Sequence, residues 1–125
     1  MARRDIIEVL QKTRQPFNVN LLAQVAALAA LRDDEYVAKT KRMNDAGRQF
    51  LENQFAAMKL KFVPSTANFV LVNVGDGPGV FKKMLARKII VRPLLGYNLP
   101  EWIRISVGTM EQNQKCIAAL KEALA

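Results

Sequence analysis

The stretch Trp-Ile-Arg-Ile-Ser-Val-Gly-Thr, residues 102–109, joins a β-forming run directly to a helix start. β-branched residues alternate with other residue types up to Val107, and this alternation is typical of a strand. Thr109 is a favourable N-cap residue, and Gln112 stands three positions later, as in a capping box. The stretch therefore predicts a strand over residues 101–107 that is followed at once by a helix.

The rest of the sequence predicts three further strands and four further helices. Proline and glycine clusters separate them, as at Pro16, at Pro64 and at residues 75–79. The predicted strands are residues 60–63, 68–74, 88–91 and 101–107; the predicted helices are residues 3–12, 21–31, 33–58 and 80–87 and one after Thr109; residues 93–100 are predicted to be a loop. The order β-β-α-β-β-α after the long helix favours an α+β fold, with a small, mostly antiparallel sheet and helices packed on one face.

The predicted helix at residues 21–31 is rich in alanine and leucine and has almost no polar face. Asn18 or Asn20 is a suitable N-cap for it. A helix that is apolar all round is normally buried. We therefore expect this helix to contact more protein than the chain provides, and to cause self-association of the isolated chain.

Two arginines lie in or at the end of predicted strands. Arg92 is in Ile-Ile-Val-Arg-Pro, residues 89–93, and Arg104 is in the stretch quoted above. Desolvating a guanidinium group without an anionic partner is costly, and its planar fork grips a carboxylate or a phosphate through two parallel hydrogen bonds. The two arginines are therefore candidate ligands of one small anion. The alternative is that each pairs with a neighbouring acid or lies on the surface.

The sequence is basic, with 19 Lys and Arg against 11 Asp and Glu and a net charge of +8. Nucleic acid is one partner that such a charge permits. The cations are scattered along the chain, however, and the sequence lacks an RNP-like aromatic strand, a GXXG loop and zinc-finger spacing. Nucleic-acid binding is therefore a minor alternative.

The composition excludes several kinds of site. The 125 residues include no histidine and one cysteine, so triads that use histidine and zinc sites that contain it are excluded. Cys116 falls at helical spacing with Ile117, Leu120 and Leu124, which predicts a small core residue. Neither a transmembrane run nor a signal-peptide h-region is present, so a cytoplasmic protein without a membrane partner is expected.

Four segments together resemble the C-terminal part of histidinol-phosphate aminotransferase, a fold-type I enzyme that depends on pyridoxal phosphate. They follow the order of the family and extend over almost the whole chain. The segments are residues 14–20 (Arg-Gln-Pro-Phe-Asn-Val-Asn) with the Ala-rich helix after them, residues 63–72 (Val-Pro-Ser-Thr-Ala-Asn-Phe-Val-Leu-Val), residues 90–100 (Ile-Val-Arg-Pro-Leu-Leu-Gly-Tyr-Asn-Leu-Pro) and residues 103–109 (Ile-Arg-Ile-Ser-Val-Gly-Thr).

The resemblance implies roles for particular residues. Arg104 matches the arginine that binds the substrate α-carboxylate, or the carboxylate of the 2-oxo acid. Arg92 matches a second substrate-site arginine, which we assign to the phosphate or imidazole end of the ligand. Tyr97 and Asn68 lie in matching segments and are candidate secondary substrate contacts, with loop and strand structure as their first role.

The resemblance also implies what the chain lacks. The family's Schiff-base lysine, the aspartate that pairs with the cofactor ring, the stacking aromatic residue and the phosphate cup belong to an upstream domain. We therefore expect no catalytic, cofactor-binding or metal-binding residue here, no cofactor in the chain alone and no transaminase activity without the N-terminal domain. Residues 1–32 would be the connecting segment with the apolar helix, and residues 33–125 the small domain. Arg4, where the family usually has proline, and Lys88, where glycine is common, depart from the pattern.

A second hypothesis is a stand-alone α+β module that recognises a small anion through Arg92 and Arg104. The predicted order of elements permits this function as well, because one fold can carry many functions.

Overall fold

A computed structural model describes residues 2–16 and 18–125; Phe17, which belongs to the first resembling segment, and Met1 lie outside the described residues. The chain divides into two compact units, one ending at Val37 and the other beginning at Ala38. The helices are α1 (Arg4–Thr13), α2 (Leu21–Ala30), α3 (Asp34–Ala57), α4 (Gly77–Ala86) and α5 (Met110–Leu124). All five helices predicted from the sequence are present.

The first unit contains α1 and α2. Asn20 caps α2, since its side chain accepts a hydrogen bond from the backbone N–H of Ala23 at 2.8 Å. Neither helix has a buried residue, and Leu21 and Leu22 are 73% and 82% exposed. The apolar surface of α2 is thus open to solvent.

The second unit is built on a four-stranded sheet. Its strands are β1 (Phe62–Val63), β2 (Phe69–Asn73), β3 (Arg92–Leu94) and β4 (Leu99–Ser106), in the order β1-β2-β4-β3, and every neighbouring pair is antiparallel. Long β4 is therefore central and is paired on both sides. The α+β class and the antiparallel sheet are confirmed.

The core lies on one face of this sheet. Side chains alternate between the two faces of a strand, and the alternate positions Val70 and Val72 of β2, with Ile103 and Ile105 of β4, are buried. Buried residues of α3, α4 and α5 join them in one apolar cluster, namely Leu51, Phe55, Val80, Met84, Cys116, Ile117, Ala119, Leu120 and Ala123. The remaining positions of β2 and β4 face away from α3, α4 and α5.

The strand predicted at residues 88–91 is wrong, because β3 begins only at Arg92. Lys88 has φ +62°, a left-handed conformation that ends α4, and its N–H bonds to the carbonyl of Leu85 while that of Ile89 bonds to Met84. Ile90 is then 80% exposed. The loop predicted at residues 93–100 is also partly structured: it holds the end of β3, a 3₁₀ helix (Leu95–Tyr97) and the start of β4.

The sequence signals at α5 are confirmed. Thr109 accepts from the backbone N–H of Gln112 at 3.3 Å, and the Gln112 side chain accepts from the N–H of Thr109 at 2.9 Å. This capping box fixes the turn that follows β4.

Candidate functional site

Both candidate arginines lie on the face of the sheet opposite to α3, α4 and α5 of the same unit, here called the helix-free face. Arg104 is on central β4, where the buried neighbours Ile103 and Ile105 take the core face. In the strand register Arg92 of β3 lies directly opposite Arg104, and Leu71 of β2 lies opposite it on the other side. Residues directly opposite each other on paired strands share a face, so the fold brings the two arginines together.

Arg104 is held against an aromatic ring. Its guanidinium carbon lies 5.1 Å from the ring centroid of Phe69, within the range of a cation–π contact. Phe69 pairs with Ser106, two positions along from Arg104, so the contact is a diagonal one across β2 and β4. The Nε of Arg104 is buried without a hydrogen-bond partner among the described residues. This arrangement orients the guanidinium group while leaving donors unused.

Arg92 is exposed and contacts Tyr97. Its Nη2 donates to the Tyr97 hydroxyl at 3.3 Å, and its guanidinium carbon lies 5.8 Å from the Tyr97 ring centroid. Tyr97 is in the 3₁₀ helix that follows β3. The structure therefore brings one of the secondary candidates to an arginine and gives it a hydroxyl that accepts from the guanidinium group.

Neither arginine pairs with an acid in the part of the chain that the structure describes, where the ion pairs involve other residues. Two like charges directly opposite each other on a sheet are destabilising. An anion bound between Arg92 and Arg104 would offset this repulsion and satisfy unused donors. The helix-free face thus has the chemistry of an anion site.

Asn68 and Phe69 differ in their relation to the two arginines. The backbone carbonyl of Asn68 accepts from the N–H of Val107 at 2.8 Å, so this residue extends the pairing of β2 with β4. Among the described residues, the Asn68 side chain has no hydrogen bond to either arginine, whereas the Tyr97 hydroxyl accepts one from Arg92. Phe69, by contrast, was missed as a site residue. Its signal was the alternation of β2, which puts Phe69 and Leu71 on one face.

A cavity of about 470 Å³ lies between residues 88–91 and the end of β4 with the start of α5. Its lining includes Lys88 and Cys116 but no carboxylate and no aromatic ring. Cys116 is buried in the core, as predicted, and burial raises the pKa of its thiol to about 11. A cavity without a ring-stacking residue or an acid for the ring nitrogen does not fit pyridoxal phosphate.

The described residues contain no group of three or more His, Cys, Asp or Glu side chains placed to hold a metal ion. They also contain no helix that is both long enough and apolar enough to cross a membrane.

Comparison with known proteins identifies relatives along the whole chain. The family model for aminotransferase class I and II matches residues 1–120. The chain is 52% identical over 124 residues to a histidinol-phosphate aminotransferase of Akkermansia muciniphila, covering 99% of this chain and 34% of the relative. It is 48% identical over 129 residues to histidinol-phosphate aminotransferase 2 of Ralstonia nicotianae, again covering 34% of that protein. The chain thus spans about a third of the length of these relatives.

Solved structures are similar in fold. The histidinol-phosphate aminotransferase from Clostridium acetobutylicum superposes with a TM-score of 0.83 at 23% identity, over 98% of this chain and 38% of that one. The histidinol-phosphate aminotransferase from Sinorhizobium meliloti in complex with pyridoxal-5'-phosphate superposes with a TM-score of 0.75 at 27% identity, over 94% and 33%. The fold described above is therefore one that aminotransferases contain as part of a larger chain.

Proposed function

Because this chain belongs to the class I and II aminotransferase family, we propose that it is the C-terminal part of a histidinol-phosphate aminotransferase. In this proposal residues 1–32 connect it to an N-terminal domain that holds pyridoxal phosphate, and residues 33–125 form the small domain. The complete enzyme would transfer an amino group between histidinol phosphate and 2-oxoglutarate in the biosynthesis of histidine, in the cytoplasm. The relatives that are 40–52% identical over nearly all of this chain support the substrate class.

The observation that carries the proposal is the direct opposition of Arg92 and Arg104 on the helix-free face of the sheet. We assign the α-carboxylate, or the carboxylate of the 2-oxo acid, to Arg104. We assign the phosphate or imidazole end of the ligand to Arg92, with Tyr97 as a secondary contact and Asn68 as a weaker candidate. Charge-assisted hydrogen bonds of this kind contribute about 1.5–3 kcal/mol each.

These residues would bind and orient the substrate. A bidentate contact to a carboxylate fixes both the position and the plane of that group, and correct orientation is a large part of what a protein adds in a cofactor enzyme. Pyridoxal phosphate, bound by the rest of the enzyme, supplies the electron sink for the reaction.

The test is complementation. The chain is mixed with the missing N-terminal domain, pyridoxal phosphate, histidinol phosphate and 2-oxoglutarate, and glutamate formation is measured. We expect activity only in the mixture. Glutamate formation by the 125-residue chain with pyridoxal phosphate and both substrates, but without the N-terminal domain, would overturn the proposal that the chain is inactive by itself.

Variants in the same assay test the arginines. Arg104→Lys keeps the positive charge but loses the fork, so we expect the KM for 2-oxoglutarate to rise and activity to fall. Arg87→Lys is a matched control, because Arg87 is an exposed arginine that pairs with Glu122 at 2.7 Å, outside the site. Equal losses in the two variants would count against a substrate role for Arg104.

A second candidate function is a stand-alone module that binds a small anion. The observation in its favour is that both arginines lack acidic partners among the described residues, which is what an anion site formed by this chain alone would require. Micromolar binding of inorganic phosphate or 2-oxoglutarate by the isolated chain, lost in Arg104→Ala, would favour this function. Binding detected only in the complementing mixture would exclude it.

A further inference from the structure

A polar cluster on α3 lies apart from the two arginines. Arg48 and Glu52 are one helical turn apart, with side chains 24% and 19% exposed, and Nη1 of Arg48 lies 3.8 Å from Oε1 of Glu52. Arg48 also bonds to Asp45 at 3.2 Å. Charged side chains that are this strongly covered normally serve a specific contact.

The contact is with the loop between β1 and β2. Oε1 of Glu52 accepts from the backbone N–H of Ser65 at 3.1 Å. One turn before Arg48, Nδ2 of Asn44 donates to the carbonyl of Ala67 at 3.3 Å, and the N–H of Ala67 donates to the Ser65 hydroxyl at 3.0 Å. The loop backbone is thus bonded to α3 at two points.

The loop leads directly into the site. Two residues after Ala67, β2 begins at Phe69, whose ring lies 5.1 Å from the guanidinium carbon of Arg104. The backbone carbonyl of Asn68, between Ala67 and Phe69, accepts from the N–H of Val107, the residue after β4. We therefore expect a shift of the loop to move the start of β2 and the Phe69 ring with it.

We propose that Glu52, held by Arg48, and Asn44 are positioning residues for Arg104: they fix the 64–68 loop on α3 and thereby place the Phe69 ring against the Arg104 guanidinium group. The proposal rests on the anion-binding role of Arg104 proposed above. None of the three side chains touches the ligand in this scheme. Their effect is the orientation of the arginine that does.

The test uses the 125-residue chain labelled with ¹⁵N, and follows the Nε–H signal of Arg104 by NMR. This nitrogen is buried, so we expect its proton to exchange slowly and its resonance to be shifted by the Phe69 ring, whose centroid lies 5.1 Å from the Arg104 guanidinium carbon. Arg104→Lys identifies the signal. Phe69→Leu gives the displacement that results when the ring is removed.

We expect Glu52→Ala and Asn44→Ala to displace the Arg104 signal in the same direction as Phe69→Leu, with the rest of the spectrum retained. Glu52→Gln keeps an acceptor for the N–H of Ser65, so it should leave the signal nearly in place. Glu111→Ala is the matched control, since Glu111 is an exposed carboxylate in an i,i+4 pair with Lys115. An unmoved Arg104 signal in both alanine variants, or an equal displacement in Glu111→Ala, would overturn the proposal.

Titration with 2-oxoglutarate, the carboxylate ligand assigned to Arg104, separates this proposal from the proposed function. If 2-oxoglutarate leaves the Arg104 signal of the unmodified chain and of the complementing mixture unchanged, the anion-binding role fails. The positioning by α3 is decided separately, by the variants without ligand. If 2-oxoglutarate does perturb the signal, Glu52→Ala should weaken that response and Glu111→Ala should not.

Discussion

Lys88 holds a backbone conformation that suits glycine. Its φ is +62° immediately after α4, and a side chain in the left-handed region costs about 1–2 kcal/mol. Glycine removes this strain but gives the unfolded chain more freedom, so part of the gain is lost. We expect Lys88→Gly to raise the free energy of unfolding by about 0.5–1 kcal/mol, measured by urea denaturation.

The matched control is the same substitution six residues earlier. Lys82 lies inside α4, where glycine destabilises a helix by about 1 kcal/mol. The two substitutions should therefore change stability in opposite directions. A loss of stability in both variants would mean that the lysine at position 88 makes contacts that outweigh its strain.

The sequence predicted the residues of the candidate site in part. Arg92 and Arg104 could be selected because each stands in a β-forming run, where an unpaired guanidinium group is costly. Their exact opposition depends on the strand register, which sequence patterns do not specify across a loop that contains a 3₁₀ helix. The contribution of Phe69 depends on the same register.

At the scale of elements, α3 and α5 meet closely at a glycine. A Cβ at Gly47 would lie 2.6 Å from Cγ1 of Val107 and 2.7 Å from Nδ2 of Asn113. Asn113 is buried and cannot move aside easily, since its amide accepts from the N–H of Gly108 at 2.9 Å and donates to its carbonyl at 3.1 Å. We expect Gly47→Ala to lower the free energy of unfolding by about 1–3 kcal/mol in urea denaturation.

Gly96→Ala is the control for this substitution, because a Cβ at Gly96 meets no atom within 4 Å. Its effect should be small. If the two alanine variants were equally stable, Val107 and Asn113 would have to move away from a Cβ at position 47 at little cost in free energy.

The elements themselves were largely predictable, whereas one boundary was not. Capping residues and apolar periodicity located α2, α3 and α5 to within a few residues, because these signals are local. The β-branched residues after Lys88 resemble a strand equally well, yet they lie beside a cavity instead of pairing with the end of β4. Pairing depends on where the partner strand runs, and this information is not local.

At the scale of the whole molecule, the open apolar surface of α2 predicts self-association. Leu22 and Val25 are 82% and 60% exposed in a helix without a buried residue. Burying such surface against a second copy is favourable in water. We expect the weight-average mass of the isolated chain in light scattering to rise with concentration.

Replacing Leu22 and Val25 together by glutamate should abolish this rise, since charges on the contact surface oppose burial. Tyr36→Glu is a suitable control for added negative charge, because Tyr36 is exposed on a different helix. A chain that stays monomeric over a wide concentration range would contradict the prediction. The N-terminal domain, when added, should compete with self-association if it covers α2.

Because β4 is paired on both sides, the position of Arg104 limits the insertions and deletions that the sheet can tolerate. Successive residues of β4 point to opposite faces. Adding or deleting one residue between Trp102 and Ser106 would therefore turn over one part of the strand, so that either Arg104 or the core residues on the other side of the change would face the wrong side of the sheet. The same length change at Gly96 would be absorbed by the open turn before β4. Insertions and deletions compatible with anion binding should therefore be confined to that turn, and the spacing from Arg104 to Thr109 should be invariant.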